Sequence, residues 1–274
     1  MDMLNDKWYI DEVEAVLNTL NSDEYPETYG YLQDLFEVDE MQDEAFEVAT
    51  NLTQMDSGKD WTPELIDLIT KLYTYEIDNK NAAAMNDLGV QYYDGNRGFE
   101  QSFEKAIKYY QMAADLGDRQ AQENLGYCYY YGRAGEPDYE KAFNYFALGA
   151  FDDHIISLYK IGDMYYNGYY VQKNRTEAFT IYRHCLDIMT DEAARVTAGP
   201  VYLRLAKCYL NGHGIEVDLM AALNCYQKAE FYLTKMVIED GNYMYKNSLD
   251  GAIEGQKKVR EELSKFIPSK DWID

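Results

Sequence analysis

At 274 residues, with 47% hydrophobic and 27% charged residues, the chain has ample material for a core and is composed neither like a disordered segment nor like a membrane protein. No apolar run approaches the roughly 18 residues that would cross a bilayer, and the start MDMLNDKWYIDEV is acidic where a signal peptide would be basic, so a cytoplasmic setting without a membrane partner is expected. The net charge of −24 repels phosphates and argues against DNA or RNA as partner.

That charge is uneven. Residues 1–80 hold 21 acidic against 4 basic side chains, a net of −17, whereas residues 81–274 hold 28 against 21, a net of −7. Solvated acidic helix faces account for such an excess, and so does a surface meeting a basic protein. In chain order, residues 5–20 and 26–38 carry helical patterns, and Pro26 suits a first helical turn. Leu52 and Gly58 then approximate a helix followed by a turn. The stretch 61–79, WTPELIDLITKLYTYEIDN, sets Ile69 and Tyr73 on one face of a following helix.

Beyond residue 80 the chain repeats itself. Leu88, Leu125, Ile161 and Leu205 start similar segments at offsets of 37, 36 and 44 residues, each followed by a small residue: Gly89, Gly126, Gly162, Ala206. Four residues after each aliphatic stands a tyrosine (Tyr92, Tyr129, Tyr165, Tyr209), which i, i+4 spacing places on the same helical face. Three further on come Gly95, Gly132, Gly168 and Gly212, suited to the left-handed position that ends a helix. Ser102, Asp138, Asn174 and Asp218 follow as candidate N-caps, with Glu177 completing a potential capping box at Asn174. Each cap precedes Ala106, Ala142, Ala178 or Ala222, and then Tyr110, Phe146, Tyr182 or Tyr226 on a second helix. A single such hairpin cannot bury both of its apolar faces, so the units must stack.

The pattern L-G-x-x-Y-x-x-G, a capped second helix and A-x-x-x-Y resembles the Sel1-like repeats, relatives of the tetratricopeptide repeats, over about residues 82–230. The resemblance implies an all-α fold, a right-handed α-solenoid of helix-turn-helix repeats with helical caps at both ends. The expected organisation is an acidic N-terminal helical region with a degenerate repeat (1–80), four repeats (81–230) and C-terminal capping helices (231–274). The last repeat helix should run to about Glu239, and a closing helix should occupy residues 247–266. About eight extra residues around MTDEAARVTAG precede the fourth copy and predict a longer helix or an extra turn.

Chemistry-bearing residues are sparse. His154, His184 and His213 fall in different units without zinc-ligand spacing, and Cys128, Cys185, Cys208 and Cys225 include no C-x-x-C pair, so no metal and no cofactor are expected. Some secreted Sel1-repeat proteins carry regular cysteine pairs and are associated with penicillin binding or β-lactamase activity; those pairs are missing from this chain. No Ser-x-x-Lys set or phosphate loop is present, and catalysis is not expected.

In tetratricopeptide repeats the inner groove is lined from the first helix of each unit. Carried over, the resemblance points to Tyr93, Asp94, Glu123, Tyr127, Tyr130, Tyr131, Tyr159, Asp163, Tyr166 and Asn167 as partner-binding residues. Tyrosine offers large contact area at low conformational cost, and carboxylates among such rings suit a basic or hydrogen-bonding segment. The expected task is a scaffold or adaptor binding a protein or peptide, with a basic partner favoured by the charge. An acidic inhibitor or immunity-type protein neutralising a basic toxin or enzyme is the alternative, and a β-lactamase-like hydrolase the less favoured third.

Overall fold

The computed structural model describes residues 8–37, 44–133 and 135–266, and all of their regular structure is helical. Two compact units emerge, Met1–Pro137 and Asp138–Asp274, with the boundary between the two helices of the second repeat. Residues 5–7 and Val38, expected at helix ends, lie outside the described residues.

The first unit begins with α1 (Ile10–Leu17) against α2 (Pro26–Glu37) and α3 (Ala45–Gln54) against α4 (Pro63–Asp78). Leu52, Ile69 and Tyr73 are fully or almost fully buried, so the expected degenerate hairpin packs as a hairpin. The first turn of α2 is capped from afar. Asp56 Oδ2 accepts the Thr28 N–H at 2.9 Å, and the Asp56 N–H donates to Glu27 Oε2 at 2.9 Å. A reciprocal cap of this kind satisfies two otherwise orphaned donors.

Arg97 ties this region to the first repeat. Its guanidinium donates to the carbonyls of Thr53, Met55, Asp56 and Lys59 at 2.8 to 3.1 Å and lies 4.0 Å from the Trp61 ring centroid. The Trp61 N–H in turn donates to the Arg97 carbonyl at 2.8 Å. A planar fork with five donors is needed to collect so many carbonyls at once.

The repeats follow as α5 (Ala82–Asp94) packed on α6 (Phe103–Asp115), and then α7 (Arg119–Tyr130). In the second unit, α8 (Tyr139–Phe151) meets α9 (Ile155–Asn167), which packs on α10 (Arg175–Asp187). After them α11 (Asp191–Asn211) packs on α12 (Leu219–Thr234), and α13 (Lys246–Ser264) closes the unit. All four expected caps form: the side chains of Ser102, Asp138, Asn174 and Asp218 accept the N–H three residues on at 2.8 to 3.3 Å. The capping box at Asn174 is only half made. The Asn174 N–H donates to the Tyr165 carbonyl at 2.9 Å, as Ser102 does to Tyr92 and Asp218 to Tyr209, leaving no donor for Glu177. This bond closes the first, third and fourth hairpins across their glycine turns. Gly95, Gly132, Gly168 and Gly212 all take positive φ, from 60° to 81°.

The deepest aromatic column lies on the second helices, where Tyr110, Phe146, Tyr182 and Tyr226 are buried. Opposite the rings of Tyr110 and Tyr182 stand small residues of the first helices. A Cβ on Gly89 would lie 2.7 Å from the Tyr110 ring, and one on Gly162 2.5 Å from that of Tyr182. The first-helix tyrosines sit at the margin of this core and are half-buried. Tyr92 stacks on Tyr109 at 5.8 Å, and Tyr209 meets Phe179 edge-on at 5.4 Å. The extra residues of the fourth copy lengthen its first helix: α11 runs 21 residues through Pro200, with Gly199 against Leu233. α12 continues as a π-helical turn that ends at Glu239, and Gly255 of α13 rests on the Tyr226 ring.

The carboxyl of Asp56 gives this scaffold an acid sensitivity. Burial opposes its ionisation, yet hydrogen bonds from the backbone and hydroxyl of Thr28 and from the backbone N–H of Glu27, with Lys59 nearby, hold its pKa below 3.8. A carboxyl depressed in the folded state stabilises above its unfolded value and loses that contribution as pH falls through its folded one. Asp56→Asn should therefore be less stable than the wild type by about 1 kcal/mol at pH 7. In thermal melts the gap should close progressively below pH 3.8.

Candidate functional site

The face presented by the first helices combines exposed rings with paired charges. In the first unit, the α7 pattern places Tyr127, Tyr130 and the following Tyr131 together because residues three and four apart share a helix face. Tyr127 and Tyr131 stack at 6.1 Å with their planes 9° apart, and Tyr130 meets Tyr131 edge-on at 4.9 Å. Tyr131 keeps 49% of its surface in solvent. The Arg133 guanidinium stands 5.5 Å from the rings of Tyr93, Phe103 and Tyr131, and its Nε donates to the Tyr93 hydroxyl at 2.8 Å. Asp94 is exposed at the end of α5, whereas Glu123 on α7 is buried. The unit thus brings Tyr93 and Tyr131 together around one arginine, with Tyr127 and Tyr130 packed on Tyr131.

In the second unit the acid of the expected set is already engaged. Arg204 grips Asp163 through two parallel bonds, Nε to Oδ1 at 2.6 Å and Nη2 to Oδ2 at 2.5 Å, while the Tyr182 hydroxyl donates to Oδ1 at 2.8 Å. The Arg204 guanidinium lies 4.3 Å from the ring of Tyr159, which is almost fully enclosed. Burial raises the cost of both charges, but their mutual attraction wins: the Asp163 carboxyl is held below its ordinary pKa and the Arg204 guanidinium above its own. Tyr166 shares a 2.6 Å hydrogen bond with His213 Nδ1 and lies beneath Arg175 at 5.4 Å. Asn167 is exposed and donates to the Asp163 carbonyl at 2.8 Å. A cleft of about 270 Å³ opens here, lined by Asp163, Tyr166, Asn167, Tyr182, Leu203, Arg204, Lys207 and Ser248.

Arg204 is the residue that the sequence pattern passes over, since it stands directly before the Leu205 column and outside the positions carried over for a groove. In the sequence it looks like any other cation of α11, which also carries Arg195 and Lys207. Burial pushes the thiols of Cys128, Cys185 and Cys208 up to about 12, which fits packing residues and not nucleophiles. Among the described residues no group of His, Cys, Asp and Glu has the arrangement to hold a metal, and no helix is long and apolar enough to cross a membrane.

Residues 82–118, 119–150, 155–183 and 200–230 each match the family model of the Sel1 repeat. Among curated proteins, mouse Protein sel-1 homolog 2 is 32% identical over 159 residues, covering 58% of this chain and 22% of that protein. The Arabidopsis thaliana ERAD-associated E3 ubiquitin-protein ligase component HRD3A is 29% identical over 180 residues, covering 61% of this chain and 25% of that protein. The putative sel1-like repeat-containing protein L21 of Acanthamoeba polyphaga mimivirus is 33% identical over 100 residues, 36% of this chain and 18% of that protein. The chain thus spans about a fifth to a quarter of the length of these relatives. Among solved structures, a Sel1 repeat protein from Oxalobacter formigenes superposes with a TM-score of 0.57 at 19% identity, covering 80% of this chain and 84% of that one. A protective antigen of uropathogenic Escherichia coli with an SLR fold gives 0.51 at 16% identity, covering 92% and 56%. At these identities the structural likeness bears on the fold alone.

A buried pair tolerates the loss of both charges better than the loss of one. Arg204→Leu should destabilise by about 3 to 5 kcal/mol in urea unfolding because it strands Asp163. Adding Asp163→Leu to that variant should restore part of the loss, so the double variant should cost less than the two single ones together.

Proposed function

Since this chain is a Sel1-like repeat protein, we propose that it is a non-catalytic interaction scaffold that binds a partner protein or peptide through the first-helix faces of its repeats. Repeat folds of this kind generally serve protein interaction, and the ligase-component description of the Arabidopsis relative belongs with such a role. The observation that carries the reading is the Tyr127, Tyr130 and Tyr131 cluster. Neither the stacked pair nor the half-exposed ring of Tyr131 fills the small-residue and aromatic core columns of the repeat. Rigid, amphipathic rings left at a surface are what binding hot spots are made of. The proposed partner for the first unit is a basic segment, supported by exposed Asp94 and by the −17 carried by residues 1–80.

Affinity purification from the source cells, read by mass spectrometry, supplies the partner, and titration calorimetry then measures it against variants. Tyr130→Ala with Tyr131→Ala should weaken binding by at least about tenfold without lowering the melting temperature. If that variant binds normally while Glu37→Lys on the exposed end of α2 abolishes binding, the acidic inhibitor reading replaces this one.

A further inference from the structure

The cleft of the second unit has a charge imbalance that the acidic chain does not lead one to expect. Of its lining residues Asp163, Arg204 and Lys207 are charged, and the first two neutralise each other. Both Asp163 oxygens are taken, by Arg204 on each and by Tyr182 on one. Lys207, one helical turn beyond Arg204, is left over. Among the described residues no acceptor lies within hydrogen-bonding or ion-pairing reach of its ammonium, although its carbonyl accepts from Asn211. Burial lowers its pKa first and the repulsion of Arg204 next, while Asp163 nearby pulls it back up, and the residue is exposed at the rim of the cleft. Arg175 above the Tyr166 ring adds to the same sign.

We propose that this cleft binds a carboxylate of a peptide partner, with Lys207 as its counterion and Tyr166, Asn167 and Ser248 as its polar rim. A carboxylate neutralises Lys207 one for one, whereas the extra charge of a phosphate dianion would have to be met by Arg175, which stands over Tyr166 and not in the lining. Leu203 and the rings of Tyr166 and Tyr182 give the cleft an apolar wall, suited to the side chain that accompanies a terminal or side-chain carboxylate. At about 270 Å³ it falls just below the usual range of small-molecule sites and fits one or two peptide residues. The inference rests on the interaction reading above and gives its two units different tastes, basic segments for the first and an acidic group for the second.

The full chain should be titrated with N-acetyl-leucyl-leucine as the free acid and as the amide, followed by the amide resonances around Arg204 and Lys207. N-acetyl-aspartyl amide separates a side-chain carboxylate from a terminal one, and N-acetyl-phosphoseryl amide tests the phosphate. At least one carboxylate probe should bind about tenfold or more tightly than the uncharged dipeptide amide, and Lys207→Gln should erase that preference at an unchanged melting temperature. Equal binding of acid and amide, no binding of either carboxylate at millimolar concentration, a preference that survives Lys207→Gln, or tighter binding of the phosphoserine probe would each overturn it. Loss of this preference with Tyr130- and Tyr131-dependent partner binding intact refutes the cleft assignment alone. The converse result refutes the interaction reading alone.

Discussion

The close approach of a residue without a side chain to a buried ring is the contact on which the rest of the molecule depends. Gly89 faces Tyr110 and Gly162 faces Tyr182 at distances that no Cβ could share. The missing side chain lets two helix backbones come near enough for the aliphatic residue beside the glycine to be fully enclosed, as Leu88 is. Ala206 takes this place in the fourth copy and packs in one cluster with Tyr226, whose ring is also pressed by Gly255 of the closing helix. A single steric rule therefore sets the helix spacing of the first and third repeats, holds with alanine in the fourth, and is reused at the last helix.

Fixing that seam fixes the remaining faces of each first helix. Residues one position past the packing column are turned by about 100°, which sets Tyr130 and Tyr166 on the neighbouring face, half-buried, with Tyr166 still packed against the core of the second unit. What happens there differs between the units. The first leaves the Tyr131 ring half in solvent beside Arg133, while the second folds its acid inward onto Arg204 and leaves Lys207 exposed beside that pair. Similar scaffolding thus carries unlike surfaces, as expected when function is grafted onto a repeat and not built into it.

The hairpins were legible in the sequence because their signals are local: cap, glycine and aromatic recur within a dozen residues, and each acts on the backbone beside it. The half-made capping box at Asn174 shows the limit of even that reading, since its N–H had a competing acceptor in Tyr165, nine residues back. Long-range devices left no trace. Asp56 caps a helix 28 residues before it, Arg97 gathers carbonyls from Thr53 to Lys59, and Arg204 reaches Asp163 across 41 residues. Each looks like an ordinary surface charge until the fold brings its partner near. The carried-over groove positions likewise specify a helix face but not its burial, so Tyr159 and Asp163 emerge enclosed with Arg204 while Tyr131 keeps half of its surface in solvent.

The steric seam is tested most directly by a double-mutant cycle on Gly89 and Tyr110, read as unfolding free energies. Gly89→Ala should cost roughly 1 to 3 kcal/mol in the wild-type background, where the added methyl meets the Tyr110 ring. In a Tyr110→Leu background, with the ring edge gone, the same substitution should cost markedly less, so the two changes should couple. An equal cost in both backgrounds, or no cost in either, would contradict the claim that this contact sets the spacing of the helices.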